Sequence, residues 1–421
     1  MTAAAADRTE GERGMPRPIE TFVEVPGGIT AVRGVRAAGV ACGIKAGRLD
    51  LALIVTDRPA PVAGVFTRNR VRAAPVLLCQ KLLAGRRLSA ILANSGNANA
   101  CTGKAGLADA EQVGKWTAEA VRRPAREVFV CSTGVIGQLL PLEKVRRGVR
   151  QAAQSLSPEG GRNAALAIMT TDRRPKERAT AFTMDGLRVT VGGIAKGAGM
   201  ICPDLATMLC FLATDAAVEA IHLQRALREA VDQSFNRISV DGDTSTNDTV
   251  LCFATGQAGA RKLTPRSPAW GSFQEALNRV ARELAQLVVR DGEGATKFAE
   301  VRVKAARTPA DAQAVARTVA NSSLVKTMLY GQDCNWGRVF AAAGRAGVFV
   351  VPERLALTVT GVPVARGGVG LGPLAEQQAN ERLREPEVVL ELDLGLGRAE
   401  AVMWTTDLSE EYVKENAAYR S

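Results

Sequence analysis

A single histidine, His222, serves the whole chain of 421 residues, and it falls among ordinary helix formers where it reads as a surface or boundary residue. A Ser-His-Asp or Cys-His nucleophile would have to be built on it. A hydroxyl can be activated without imidazole when it belongs to an N-terminal threonine. Its own α-amine, with a reference pKa of about 7.7 to 8.0, then takes the proton. An internal threonine reaches that state only if the backbone in front of it is cleaved. The stretch Lys196-Gly-Ala-Gly-Met-Ile-Cys-Pro-Asp-Leu-Ala-Thr-Met-Leu209 has residues suited to such a cleavage. Gly197 and Gly199 permit close backbone approach, Pro203 stiffens the lead-in and Ala206 leaves its carbonyl open. Thr207 could then shift the acyl bond from nitrogen to oxygen, and water would release the ester. A plain glycine-rich loop ahead of a buried strand satisfies the same residues.

Other groupings point to less. Asp241-Gly-Asp243-Thr-Ser245 resembles the D-x-D-x-T start of aspartyl phosphatases, and its acids could hold Mg²⁺. Ser245 stands where that pattern needs threonine, so the segment reads as a hydrogen-bonded turn near the substrate lobe. Eight cysteines form no C-x-x-C pair, and with one histidine they offer no Cys/His metal site; they read as reduced core thiols of a cytoplasmic protein. Gly368-Val-Gly370-Leu-Gly372 lacks the dinucleotide spacing and reads as a flexible loop. The net charge of +11 raises nucleic-acid binding, but the arginines are scattered and aromatics make up only 4%, so the surplus reads as solubilising charge. No apolar run approaches a membrane span and no hydrophobic signal core is seen, so neither a membrane nor a nucleic acid is expected as a partner.

The elements that must position these residues follow from periodicity. The length predicts two lobes or more, and 46% apolar with 23% charged residues is the balance of a globular chain. Residues 1–17 read as a flexible leader. Apolar runs at 51–55, 90–93 and 128–131 alternate with helical patterns such as 107–122, an α/β texture. Asp185-Gly186 between the alternating runs 180–184 and 187–191 predicts a tight hairpin. A buried strand is expected at 208–212, then a helix from about Val218 carrying Leu223, Leu227 and Val231 on one stripe. A second helix bears Phe273, Leu277, Val280, Leu284, Leu287 and Val288. It should end at Asp291-Gly292-Glu293-Gly294 with a left-handed glycine cap. Leu390, Leu392 and Leu394 alternate with acids as a half-exposed strand, and 404–406 suggests another.

The stretch from Lys196 to Leu209 closely resembles the K-G-x-G-M-I-x-P-x-x-A-T-M-L motif of the ornithine acetyltransferase family, also called bifunctional glutamate N-acetyltransferase. Asn94-Ser-Gly-Asn-Ala-Asn-Ala-Cys-Thr-Gly103, Ser132-Thr-Gly-Val-Ile-Gly137, Ser234-Phe-Asn-Arg-Ile-Ser-Val-Asp-Gly-Asp-Thr-Ser-Thr-Asn-Asp-Thr249 and Asp333-Cys-Asn-Trp-Gly-Arg338 look like further family signatures. The resemblance covers nearly the whole chain after the leader. It implies an α/β, self-processing, N-terminal-nucleophile-like enzyme with layered mixed sheets flanked by helices in two associated lobes.

It also implies self-cleavage between Ala206 and Thr207, giving an N-terminal fragment 18–206 and a C-terminal fragment 207–421. Thr207 is then the nucleophile that carries acetyl from N-acetylornithine to glutamate, a recycling step in arginine biosynthesis, and Thr133 and Gly134 form the oxyanion hole. Substrate contacts carry over to Thr170, Lys196, Thr207, Glu293, Asn416 and Ser421, with Thr171 set aside in favour of Thr170. Lys196 suits a substrate carboxylate and Glu293 an ammonium; read alone, each is a solvated loop charge. No cofactor or metal is implied, acetyl-coenzyme A enters only as an optional donor, and the assembly expected is a cytoplasmic heterotetramer of two alpha and two beta fragments. Two positions depart from the motif: Ala198 replaces a frequent serine and Asp204 the usual asparagine. The rival readings are a self-processing amidohydrolase or aminopeptidase of similar architecture, in which water resolves the acyl-enzyme, and a non-catalytic basic protein that binds nucleic acid.

Overall fold

The computed structural model describes residues 22–202 and 208–418. The expected leader, Asp204, the Ala206–Thr207 junction and Ser421 therefore lie outside the described residues.

Nine strands among the described residues form the first sheet. From one edge they run Val23–Glu24, Lys176–Met184, Leu187–Lys196, Leu209–Thr214, Thr249–Ala254, Leu51–Phe66, Arg87–Asn97 and Val128–Val135, with Val35–Val40 also paired to Leu51–Phe66. Leu51–Phe66 bends this ribbon into two layers. Its first half pairs with Val35–Val40 and Arg87–Asn97, and its second half with Thr249–Ala254. The ladder to Arg87–Asn97 breaks register between Val55 and Ala60, where Pro59 has no amide to donate.

Side-chain alternation along each strand then fixes what lies between and outside the layers. Ala52 and Ile54 turn inward to meet Ile194, Leu209, Phe211, Leu251 and Phe253 in a core between the sheets. Leu51, Leu53 and Val55 turn outward, onto helices Gly103–Val121 and Leu142–Gln154. On the opposite outer face Cys210, Leu212, Val250 and Cys252 pack against helices Ala220–Asp232 and Trp270–Arg290. The result is helix, sheet, sheet, helix, with a dry core in each gap.

The second lobe is a seven-stranded sheet among the described residues, ordered Val369–Gly370, Val362–Arg366, Ala356–Val359, Glu387–Asp393, Phe298–Ala306, Ala399–Thr406 and Ile238–Ser239. Helices Pro309–Ala320, Ser323–Gly331, Trp336–Gly344 and Pro373–Arg382 contribute Val315, Val319, Met328, Val339 and Ala379 to its core, with Val301, Leu390, Leu392 and Met403 from the strands. Both sheets mix parallel and antiparallel pairs. The layered, two-lobed α/β expectation describes this architecture.

Local signals held where the cause was local. Asp185 and Gly186 both have positive φ, 51° and 73°, as a two-residue hairpin turn of this type requires. The helix Trp270–Arg290 ends differently from expectation, since its cap is Asp291 at φ −102° and the left-handed glycine is Gly294 at φ 63°. Gly294 answers a different constraint. A Cβ there would lie 2.2 Å from the Tyr412 amide nitrogen, so the glycine lets the C-terminal helix Glu410–Ala418 dock. The expected loop at Gly368–Gly372 is partly an edge strand, Val369–Gly370, held on Val362–Arg366 by backbone pairing.

Candidate active site

Thr133, Gly134, Thr170, Lys196, Glu293 and Asn416, which lie on five separate segments, line one cavity of about 300 Å³. Ala206, Thr207 and Ser421 are outside the described residues. The strand that follows, Leu209–Thr214, is buried throughout and lies between Leu187–Lys196, antiparallel, and Thr249–Ala254, parallel. Just ahead of it the Met208 amide donates to Asp248 Oδ1 at 2.9 Å. Burial pushes the Asp248 carboxyl well above the usual range, against the pull of that hydrogen bond, of Thr67 and of Lys196.

Thr133 and Gly134 close the strand Val128–Val135. Gly134 has φ 129°, and a Cβ on it would sit 2.4 Å from the carbonyl carbon of Gly96. Two of the signature stretches therefore meet backbone to backbone, and only glycine fits there. Ser132 Oγ donates to Asn94 Oδ1 at 2.6 Å, while Asn247 Nδ2 donates to the carbonyls of Ala98 and Ser132 at 2.7 and 2.8 Å. Lys196 Nζ donates to Thr133 Oγ1 at 3.1 Å. An ammonium on the oxygen leaves the hydroxyl proton available to donate and polarises it, as an oxyanion donor needs.

Lys196 ends a central strand and is only 2% exposed. Burial lowers its pKa, opposed first by Asp172. Asp172 is itself buried, which would raise its carboxyl; Lys176 and Lys196, with hydrogen bonds from Lys176 and the Gly197 amide, hold it below the carboxylate range instead. The loop bearing Thr170 follows helix Gly161–Ala167, and its amide donates to Asp172 Oδ2 at 3.0 Å.

Glu293 stands on the turn after Trp270–Arg290, its amide donating to the Ala198 carbonyl at 2.9 Å. Asn416 Nδ2 donates to Glu293 Oε2 at 2.8 Å. The helix carrying Asn416 is preceded by Ser409, whose Oγ accepts from the Tyr412 amide at 3.2 Å and donates to the Gly294 carbonyl at 2.6 Å. The same hydroxyl thus caps the helix and attaches it to the Glu293 turn.

Several lining residues were not named as site residues from the sequence. Thr171, set aside in favour of Thr170, also lines the cavity, as do Asp241, Asp243, Ser245, Thr246 and Asn247. The turn reading of Asp241 holds: its carboxylate accepts from the Met200, Ile201 and Asp243 amides at 2.6, 2.9 and 3.1 Å. Among the described residues no cluster of three or more His, Cys, Asp or Glu side chains is placed to hold a metal. The density of polar residues at 241–248, within otherwise apolar flanks, was the available signal for this wall. The signature Asp333–Arg338 is not in the cavity lining; Trp336 Nε1 donates to Glu376 at 2.9 Å and the Cys334 amide to Asn380 Oδ1 at 2.6 Å, within the second lobe.

The amino-acid sequence has known counterparts. The model of the ArgJ family matches residues 36–421. The arginine biosynthesis bifunctional protein ArgJ of Symbiobacterium thermophilum is 49% identical over 400 residues, 94% of this chain and 99% of that protein. Its counterpart in Geobacter sulfurreducens is 49% identical over 391 residues, 93% of this chain and all of that one, 100%. Among solved structures, the ornithine acetyltransferase of Mycobacterium tuberculosis in complex with ornithine is 48% identical and covers 44% of this chain and 98% of its own, with a TM-score of 0.41. Matched from residue 36 to its last residue, 421, and at this identity to full-length relatives, the chain is an enzyme belonging to the ArgJ family.

Proposed function

We propose that this enzyme moves an acetyl group from N-acetylornithine to glutamate by a ping-pong route through an acetyl ester on Thr207, after its chain is cut between Ala206 and Thr207. The observation that carries the reading is the convergence of Thr133, Gly134, Thr170, Lys196, Glu293 and Asn416 on one cavity. The relatives' names, which assign them to arginine biosynthesis, support the same choice of substrates.

In this mechanism the freed α-amine of Thr207 takes the Oγ proton as Oγ attacks the acetyl carbonyl. The carbonyl electron pair moves onto oxygen, where the Thr133 hydroxyl and the Gly134 N–H receive it. Collapse breaks the C–N bond, the α-ammonium returns its proton to the leaving amine, and ornithine departs. Glutamate then attacks the ester through its neutral amine. Its proton passes back to Oγ by way of the α-amine, releasing N-acetylglutamate and restoring the hydroxyl. Lys196 takes a substrate carboxylate and Glu293 an ammonium, with Thr170, Asn416 and Ser421 completing the contacts. Acetyl-coenzyme A stays an optional donor, which the same hydroxyl would attack with a thiol as leaving group. No step draws on a metal or a cofactor.

The two fragments stay associated and pair as two alpha and two beta pieces in the cytoplasm. Support for the association is the register from Lys196 with Leu209 to Val191 with Thr214, which joins residues on either side of the cut. No described helix is long and apolar enough to cross a membrane.

Intact mass and N-terminal sequencing of wild type beside Thr207→Ala test the cleavage. Two wild-type pieces, the second starting Thr-Met-Leu, and an uncut variant are expected. Labelled acetyl from N-acetylornithine should then appear on glutamate. Free acetate as the main product would identify a hydrolase instead, and an uncut wild-type chain would remove the α-amine from the argument.

A further inference from the structure

We propose that Asp172 is a positioning residue for acyl transfer: its one carboxylate sets Thr170 and the Lys196–Gly197 peptide relative to each other and supplies a counter-charge to the Lys196 ammonium. The inference rests on the transferase reading above. Asp172 Oδ2 accepts from the Thr170 amide at 3.0 Å, and Oδ1 accepts from the Gly197 amide at 2.7 Å and from Lys176 Nζ at 2.6 Å. Thr170 and Lys196 lie on separate segments, so this carboxylate bridges the two pieces of wall.

The bridge extends to a third wall residue, Glu293. Lys176 Nζ also donates to Asp291 Oδ2 at 2.5 Å, and Asp291 caps the helix that delivers Glu293 two residues later. Asp291 Oδ2 further accepts from the amides of Arg173 and Arg174 at 3.0 and 3.3 Å, which pins the loop between Asp172 and Lys176. The side chains of Asp172 and Lys176 are 0% and 2% exposed. In so dry a site each charge is felt by its neighbours far more strongly than in water.

The charged groups facing Lys196 are Asp172 and Lys176 from the Thr170 loop and its following strand, Glu293 across the cavity, Asp248 beside Met208, and Lys45 from the loop ahead of Leu51–Phe66. Asp172 is the foremost of the groups that favour the ammonium, and Lys176 opposes it. The two neighbours therefore act on Lys196 with opposite sign.

The test is the pH profile of kcat/KM for acetyl transfer in Asp172→Asn, Asp172→Glu and Lys176→Gln, with intact mass recorded for each. If Lys196 must be cationic to hold a carboxylate, Asp172→Asn moves the alkaline limb down by about one to three pH units, as loss of an adjacent opposite charge does. Asp172→Glu moves it less, and Lys176→Gln moves it up. Wild type that is cut and active, with no shift or shifts of the same sign in the two charge-removing variants, overturns the inference while leaving the transferase reading intact. Should Asp172→Asn not fold, Lys176→Gln and Asp172→Glu decide: an alkaline limb that fails to rise in the first, or that falls in the second as far as full charge removal requires, overturns the inference. An uncut, inactive wild type overturns the transferase reading itself.

Discussion

The side-chain amide of Asn416 donates to the Glu293 carboxylate at 2.8 Å, joining the C-terminal helix to a turn 123 residues earlier in the chain. Neither residue is buried, so the bond does little for folding and much for the direction in which the carboxylate points.

On the proposed mechanism Glu293→Gln removes the charge offered to a substrate ammonium, and KM for the ammonium-bearing substrate should rise about tenfold, the lower end for a charge-assisted hydrogen bond at a half-open site. Asn416→Ala leaves the charge but frees it to swing, so a rise of about threefold is expected. Steady-state kinetics on both variants checks this. A fall in kcat at unchanged KM would assign the pair to the chemical step instead.

Two glycines of the cavity wall should respond in different ways. At Gly199 a Cβ would lie 2.3 Å from Glu293 Oε2, the end of a side chain that can turn aside. Gly199→Ala is therefore expected to fold with an ordinary melting temperature and a raised KM. At Gly134 the obstacle is the Gly96 backbone at 2.4 Å together with a positive φ of 129°. Gly134→Ala should cost about 3 kcal/mol of stability, at the upper end for forced overpacking, and most of the activity. Thermal unfolding beside KM separates the two cases; equal stability losses would refute the distinction.

Asp241 makes stability depend on pH with an unusual sign. Burial raises its carboxyl to about 6, with the amide hydrogen bonds pulling the other way. In the unfolded chain an aspartate titrates near 3.9, so between about 4 and 6 the native state holds a proton that the unfolded state has lost. Its contribution to stability is fully present below about pH 4, declines as pH rises towards 6, and is flat above. Asp241→Asn should abolish that decline. Urea unfolding of both proteins at pH 4, 5, 6 and 7 measures the difference in slope; parallel profiles would show that Asp241 titrates normally.

Much of the scaffold could be read before the structure because its causes are local. The hairpin at Asp185-Gly186, the stripe of Leu223, Leu227 and Val231, and the alternation at Leu390, Leu392 and Leu394 each follow from neighbours in sequence. What escaped was set by residues far apart. The closeness of Gly134 to Gly96, the reach of Asn247 to Ala98 and Ser132, and the bond between Lys176 and Asp291 link segments whose apposition no periodicity announces. Gly294 shows the same limit, since its conformation serves a helix that lies more than a hundred residues later. For the site, the resemblance supplied Thr133, Thr170, Lys196, Glu293 and Asn416, and the structure added the buried Asp172, which accepts from the Thr170 and Gly197 amides.

The strand Leu209–Thr214 lies in the interior of its sheet, flanked on both sides. While the chain is continuous, its pairing with Leu187–Lys196 is the closing of a short loop, with an effective concentration set by the dozen or so residues between them. If the chain is cut before Thr207, as proposed, the same pairing would become a meeting of two molecules. Denaturing such a cut enzyme would turn a first-order refolding problem into a second-order one, dependent on protein concentration and open to competing aggregation. The working lifetime of a cut protein would then be governed by how slowly it unfolds, whereas an uncut variant could recover from each unfolding by itself.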